Sequence, residues 1–204
     1  MAFELVIFDC DGVLVDSEPI ANRVLSERLA EVGLHMDADE VMRRFVGRRL
    51  PAGFAEAWDA ALFRAFDAEL EPVAGVIEVI RELTMPICVA SNSSRERMAV
   101  SLRAAGLVRF FERRVFSAAG VARPKPAPDL FLHAAAAMGV PPSRCAVIED
   151  TPTGVRAAVA AEMAVYGYAG GGSSSADALT AAGATLFREM RALPALLRAS
   201  APDH

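Results

Sequence analysis

Four carboxylates fall within the ten residues from Asp9 to Glu18, "DCDGVLVDSE", directly after the apolar run "AFELVIF". Ionised carboxylates at the end of a buried strand are costly unless something compensates them. The pair Asp9 and Asp11 therefore either turns at once into water, or holds a cation and does chemistry. Three other stretches bring polar groups to comparable places. "ICVASNSS" ends in Ser91 and Asn92, "CAVIEDTPTG" delivers Glu149 and Asp150, and "RPKPAPD" holds Lys125 between Pro124 and Pro126. Asp9, Asp11, Glu149 and Asp150 repel one another at close range, and a phosphate group adds to the repulsion. A hard divalent cation, Mg²⁺ above all, removes that conflict, because it takes oxygen ligands and keeps several waters while bridging carboxylates to a phosphate. Lys125, the one lysine among 21 basic residues, supplies a second positive charge from a proline-stiffened loop.

For these groups to meet, the apolar runs must lie side by side with their carboxyl ends at one edge, where open parallel sheets bind ligands. Short runs rich in Val, Ile, Phe and Cys alternate with longer stretches of helical period. Strands are expected at 3–8, 87–90, 114–116, 146–148, 164–168 and 185–187. Helices are expected near 75–83, 94–105, 129–138, 152–160, 176–182 and 189–199. This alternation predicts an α/β fold: a Rossmann-like, doubly wound parallel sheet. Residues 16–71 break the rhythm with consecutive helices and no strand, so a small all-helical cap is expected after the first strand. Residues 1–15 and 72–204 then form the core. "GGGSSS", Gly170 to Ser175, reads as a flexible surface loop.

The totals fit one domain with an insertion: 204 residues, 53% of them hydrophobic. A net charge of −5 argues against nucleic acid or an anionic membrane as partner and leaves small molecules. No stretch approaches the roughly 20 apolar residues of a membrane span, and no basic region precedes the first apolar run, so a cytoplasmic protein is expected. Cys10, Cys88 and Cys145 show no C-x-x-C spacing and read as buried free thiols. The sequence does not set the oligomeric state, and a monomer is compatible with it.

Each polar group also has a plain structural role open to it. Ser91 and Asn92 can cap the next helix, Asp129 after Pro128 reads as an N-cap, and Glu149 with Asp150 suits a helix N-terminus. The set as a whole, at successive strand ends, points instead to a shared site.

The four motifs "DCDGVLVDSE", "SNS", "KPAPD" and "IEDTPTGV", in that order and with a helical insertion after the first strand, resemble the haloacid dehalogenase superfamily in its phosphatase branch. The resemblance spans essentially the whole chain. It implies that Asp9 is the nucleophile, forming an aspartyl-phosphate, and that Asp11 is general acid and then general base. It further implies that Ser91, Asn92 and Lys125 bind the phosphoryl group. Mg²⁺ is implied on Asp9, Asp11 through its carbonyl, Asp150 and, directly or through water, Glu149. Dehalogenases lack the second aspartate, and phosphonate-cleaving relatives use a cap lysine that this chain lacks. Sugar-phosphate mutases usually carry a histidine where this chain has Ile20, Ala21 and Asn22. Hydrolysis of a sugar phosphate or phosphorylated sugar acid is thus expected, with the cap arginines Arg48 and Arg49 reading the substrate's other end. A mutase and a catalytically silent phosphate-binding module remain the alternatives. A receiver domain, which also combines an acidic Mg²⁺ site with a lysine, is shorter, has no cap and takes phosphate at a later strand. Glu162 stands where relatives usually end a helix with glycine; if it must adopt a left-handed backbone, the cost is on the order of 1 kcal/mol.

Overall fold

A computed structural model describes residues 3–34, 53–171 and 174–199. Six strands are joined in one parallel sheet: β1 (Leu5–Phe8), β2 (Ile87–Ser91), β3 (Val115–Ser117), β4 (Cys145–Glu149), β5 (Ala164–Tyr168) and β6 (Thr185–Phe187). Their spatial order is β3-β2-β1-β4-β5-β6. The chain runs outward from β1 to β3, returns to the other side of β1, and runs outward again through β4 to β6. Where such a reversal falls, the loops at the strand ends diverge and leave a crevice.

β1, "LVIF", is buried throughout, as a central strand covered on both faces must be. Its side chains alternate between two cores. Val6 and Phe8 face one, packed against α3 (Val76–Glu82), α4 (Arg95–Ala104) and α9 (Leu193–Ala199). Leu5 and Ile7 face the other, beneath α6 (Asp129–Met138), α7 (Pro152–Ala160) and α8 (Ala176–Ala182). The expected doubly wound architecture is the one observed.

Between β1 and α3 lie two described helices, α1 (Glu18–Glu31) and α2 (Phe54–Glu69), which add Ile20, Val24, Leu62 and Phe66 to the first core. Leu29 and Phe54 form a small core of their own. The strands of chain entering and leaving this interval run side by side, with the Asp16 amide donating to the Glu71 carbonyl at 3.2 Å and the Val73 amide to the Leu14 carbonyl at 3.0 Å. Arg43, Arg44, Arg48 and Arg49 lie outside the described residues.

Several details differ from expectation. α5 (Val108–Phe111), a single turn, was not legible; it exists because Phe111 meets Phe8 edge-on at 6.4 Å. The last expected helix divides into a 3₁₀ turn, Met190–Ala192, and α9, with Pro194 in the first turn of α9 where a missing N–H costs nothing. Asp129 does not cap α6. Pro128 holds the cap position, and Asp129, the first helical residue, pairs bidentately with Arg123. Glu162 does adopt a positive φ, 58°.

Candidate active site

The register of the central strands sets the site. Phe8 pairs with Ile148 on one side and Val89 on the other, so Asp9, Glu149 and Ala90 lie level one residue further on. Lys125, from the loop before α6, reaches all three. Its ammonium donates to Asp9 Oδ1 at 2.5 Å, Glu149 Oε1 at 2.6 Å and the Ala90 carbonyl at 2.8 Å, and sits 4.6 Å from the centre of the Phe131 ring. Asp9, Lys125, Glu149 and Asp150 are all more than nine-tenths buried. Burial alone would lower the Lys125 pKa, but Asp9 and Glu149 outweigh it and hold the ammonium above its usual range. Asp9 is moved the other way. Burial, together with the Glu149 charge, overcomes the pull of Lys125 and lifts its carboxyl to about 7.

Two glycines make room for the buried acids. A Cβ on Gly12, whose φ is +78°, would fall 2.0 Å from Asp150 Oδ2, and one on Gly154 would fall 1.8 Å from Glu149 Oε1. The glycine in "DCDGV" and that in "TPTGV" are therefore demanded by the carboxylates opposite them, not by their own turns alone. Glu149, expected to help hold the metal, uses both oxygens elsewhere. Oε1 binds Lys125, while Oε2 accepts from the amides of Asp150 and Thr151 and from Thr151 Oγ1. Thr151 in turn caps α7 by accepting from the Gly154 amide at 3.1 Å.

Asn92 likewise has a different task from the one expected. Its amide clamps the backbone of Lys125, accepting from the Lys125 N–H at 3.0 Å and donating to its carbonyl at 3.2 Å. Ser91, 3% exposed, accepts from the Ser93 amide at 3.2 Å and keeps its own hydroxyl proton to donate.

Asp11 stands apart from this buried group, its side chain 20% exposed. Three donors converge on it: Ser17 Oγ on Oδ1 at 2.5 Å, Ser93 Oγ on Oδ2 at 2.6 Å, and Arg97 Nη2 on Oδ1 at 3.4 Å. Ser17 holds the N-cap position of α1 yet makes no capping bond, because its hydroxyl is turned to Asp11. Ser117 of β3 fixes Ser93 by donating to its carbonyl at 2.7 Å. None of Ser17, Ser93 or Arg97 was singled out in the sequence. The signal available was the hydroxyl repeat in "SNSS", which places Ser93 two residues beyond Ser91.

These groups line one cleft of about 250 Å³, bounded by Asp9, Asp11, Glu18, Ser91, Lys125 and Asp150 among others. Glu18 on its wall has its pKa raised, by burial first and then by Asp11 and Asp16. Among the described residues no histidine lines the cleft. A larger hollow of about 420 Å³, between α4, α5 and β3, contains none of the motif residues. Gly171 of the loop after β5 comes close to the Gly12 carbonyl, so part of "GGGSSS" borders the first motif; Gly172 and Ser173 lie outside the described residues.

The donor set fits a hard cation. No three His, Cys, Asp or Glu side chains converge as a closed cage among the described residues. Asp9 and Asp150, both on the cleft, would instead make with a backbone carbonyl an open, oxygen-only set of the kind that suits a partly hydrated Mg²⁺. Asp9, Asp11, Glu18, Glu149 and Asp150 outnumber Lys125 and Arg97 here, an acidic excess that favours a bound cation.

A crevice at the reversal of a parallel sheet, with two aspartates from one strand end and a buried lysine, defines a known class. Residues 3–162 match the family model described as haloacid dehalogenase-like hydrolase, and the chain belongs to that family. Within it the chain is a phosphatase. It is 33% identical over 179 residues to the 6-phosphogluconate phosphatase of Escherichia coli K12, covering 80% of this chain and 81% of that one. It is 30% identical over 175 residues to the fructose-1-phosphate phosphatase of the same organism, covering 78% and 92%. Among solved structures, a haloacid dehalogenase family hydrolase from Deinococcus radiodurans with bound phosphate and sodium superposes with a TM-score of 0.81 at 33% identity, covering 99% of each chain.

Proposed function

We propose that the protein hydrolyses a small phosphomonoester, a sugar phosphate or phosphorylated sugar acid, through an aspartyl-phosphate on Asp9 with Mg²⁺ as cofactor. The observation that carries this reading is the division of labour between the two aspartates. Asp9 is buried with Oδ1 held by Lys125, and its Oδ2 accepts no hydrogen bond among the described residues. Asp11 is half-buried and held by hydroxyls that can let it go. Asp9 attacks phosphorus and the bond from phosphorus to the ester oxygen breaks, while Asp11 gives its proton to the departing alkoxide. Asp11 then takes a proton from a water that attacks the aspartyl-phosphate, releasing phosphate and restoring the Asp9 carboxylate. Ser91 and Lys125 are assigned to the phosphoryl oxygens. Mg²⁺ bound to Asp9, Asp150 and the Asp11 carbonyl would neutralise phosphoryl charge. The role expected of Glu149 becomes that of anchor for Lys125.

The substrate class rests on the two Escherichia coli relatives, which act on 6-phosphogluconate and fructose 1-phosphate. Arg48 and Arg49 remain the candidates for reading the substrate's far end. Hydrolysis is preferred to isomerisation because Ile20, standing where mutases place a histidine, belongs to the apolar core. The buried free thiols suit a reducing cytoplasm. The test is phosphate release from sugar phosphates, sugar-acid phosphates and an aryl phosphate, with Mg²⁺ or chelator, for native protein and Asp9→Asn. Mg²⁺-dependent release that Asp9→Asn abolishes is expected; release that survives the substitution overturns the assignment.

A further inference from the structure

Arg97 has no place in the chemistry above, yet it joins the two helical layers at the site. It stands on α4, and its guanidinium lies 5.6 Å from the centre of the Phe66 ring on α2 while Nη2 reaches Asp11 Oδ1 at 3.4 Å. Phe66 is completely buried, and the Arg97 side chain is 21% exposed. Its Nε is buried and meets no hydrogen-bond partner among the described residues. An unmet N–H of this kind is a cost that packing alone does not repay. A lysine or methionine would fill the same space without it, so the fork is placed here for what its far end does.

That far end supplies the one charged contact to Asp11 among the described residues. Ser17 and Ser93 hold the carboxylate through hydroxyls, which rotate and accept as readily as they donate. A guanidinium donates only, and here it is oriented by an aromatic face below it. The contact at 3.4 Å is long, as catalytic contacts often are before substrate is bound.

We propose that Arg97 is a positioning residue for Asp11, aimed by Phe66 of α2, and that it serves proton delivery to the leaving alcohol. The inference rests on the reading of Asp11 as general acid. It separates two classes of substrate. A sugar alkoxide must be protonated as it leaves, whereas nitrophenolate leaves without a proton. Misplacing Asp11 therefore penalises the alkyl ester far more than the aryl ester. The discriminating quantity is kcat/KM, which covers steps only up to release of the first product and so omits hydrolysis of the aspartyl-phosphate.

The experiment measures kcat/KM for fructose 1-phosphate and p-nitrophenyl phosphate in native protein, Arg97→Met, Arg97→Lys, Phe66→Leu and Asp11→Asn. For Arg97→Met the alkyl-to-aryl ratio should fall at least about tenfold, a fraction of the roughly 10² to 10⁴ that a general acid contributes. Arg97→Lys should recover part of the ratio, since it keeps a donor and a charge. Phe66→Leu should lower the ratio in the same direction while leaving Arg97 in place. Equal losses on both esters, or an unchanged ratio in both Arg97→Met and Phe66→Leu, overturn the proposal and leave Arg97 as packing. Asp11→Asn keeps the two readings apart: if it spares the alkyl-to-aryl ratio, the general-acid assignment itself fails. A ratio that collapses in Asp11→Asn but not in the Arg97 variants refutes this inference alone.

Discussion

Replacing Lys125 with methionine keeps the length of the side chain and removes the charge that two buried carboxylates share. Lys125 and Glu149 have side chains 3% and 1% exposed, and Asp9 11%, so water screens little of the loss. Breaking a buried pair by deleting one partner costs about 3 to 5 kcal/mol. Here the ammonium also leaves the Ala90 carbonyl without its donor, which puts the expectation at the upper end. In a chain of this length that corresponds to a fall of about 10 to 20 °C in Tm. The size of the loss depends on pH, because the orphaned carboxylates can recover by taking up a proton. Asp9 is already raised to about 7 by burial in the native protein, and removal of Lys125 raises it further. The variant should therefore be most impaired at pH 8 and closer to native at pH 5.5. Adding Glu149→Gln should restore part of the loss at pH 8, since one of the two stranded charges is gone. Urea unfolding at both pH values, for the single and the double variant, provides the numbers. A loss below about 1 kcal/mol at pH 8, or one equal at the two pH values, would refute the view that Lys125 is the electrostatic keystone of the site.

Three more outcomes are expected. With its pKa raised above the ordinary carboxylate range, Asp9 stabilises the metal-free fold below about pH 4, and that contribution is lost as pH climbs to about 7; Lys125 stays charged across this window and adds no slope. Mg²⁺ binding should accordingly release close to one proton at pH 6 and almost none at pH 8, measured by calorimetry in two buffers of different ionisation enthalpy, and affinity that is flat between these values would count against the assignment. Gly12→Ala sets a methyl group 2.0 Å from Asp150 Oδ2 at a φ of +78°, so Mg²⁺ affinity should drop about 10- to 100-fold, with a native-like affinity ruling out Asp150 as a ligand. Glu162→Gly relieves a φ of 58° and should raise Tm by about 2 to 4 °C, a gain of about 1 kcal/mol visible in thermal melts.

The parts of this molecule that were legible in its sequence are those set by short-range pattern. β5 and β6 fall on the predicted residues because each apolar run is bounded by chain-reversing residues, and the strand ends carrying Asp9, Ser91 and Glu149 follow from the same runs. The strain at Glu162 came into view only through the resemblance, because relatives usually end that helix with glycine. What escaped was decided in three dimensions. Whether Asn92 faces a ligand or the Lys125 backbone depends on a loop 33 residues away. Whether Glu149 holds a metal or a lysine depends on which of its neighbours arrives first, and here Lys125 and the first turn of α7 occupy both oxygens. Arg97 is one of three arginines within nine residues of "RERMAVSLR", and only the packing of α2 on α4 distinguishes it from the other two. The single turn of α5 is too short to carry a period at all.

The chain's solitary lysine has one more use. Its side chain is 3% exposed and its ε-amine bonded on three sides, so acylating reagents find no accessible side-chain amine among the described residues. Any label that does arrive on Lys125 marks a molecule whose cleft had opened far enough to surrender it. Acylation rate, followed by mass spectrometry, then becomes a clock for local opening of this one site, with no competing lysine to subtract and no probe to engineer.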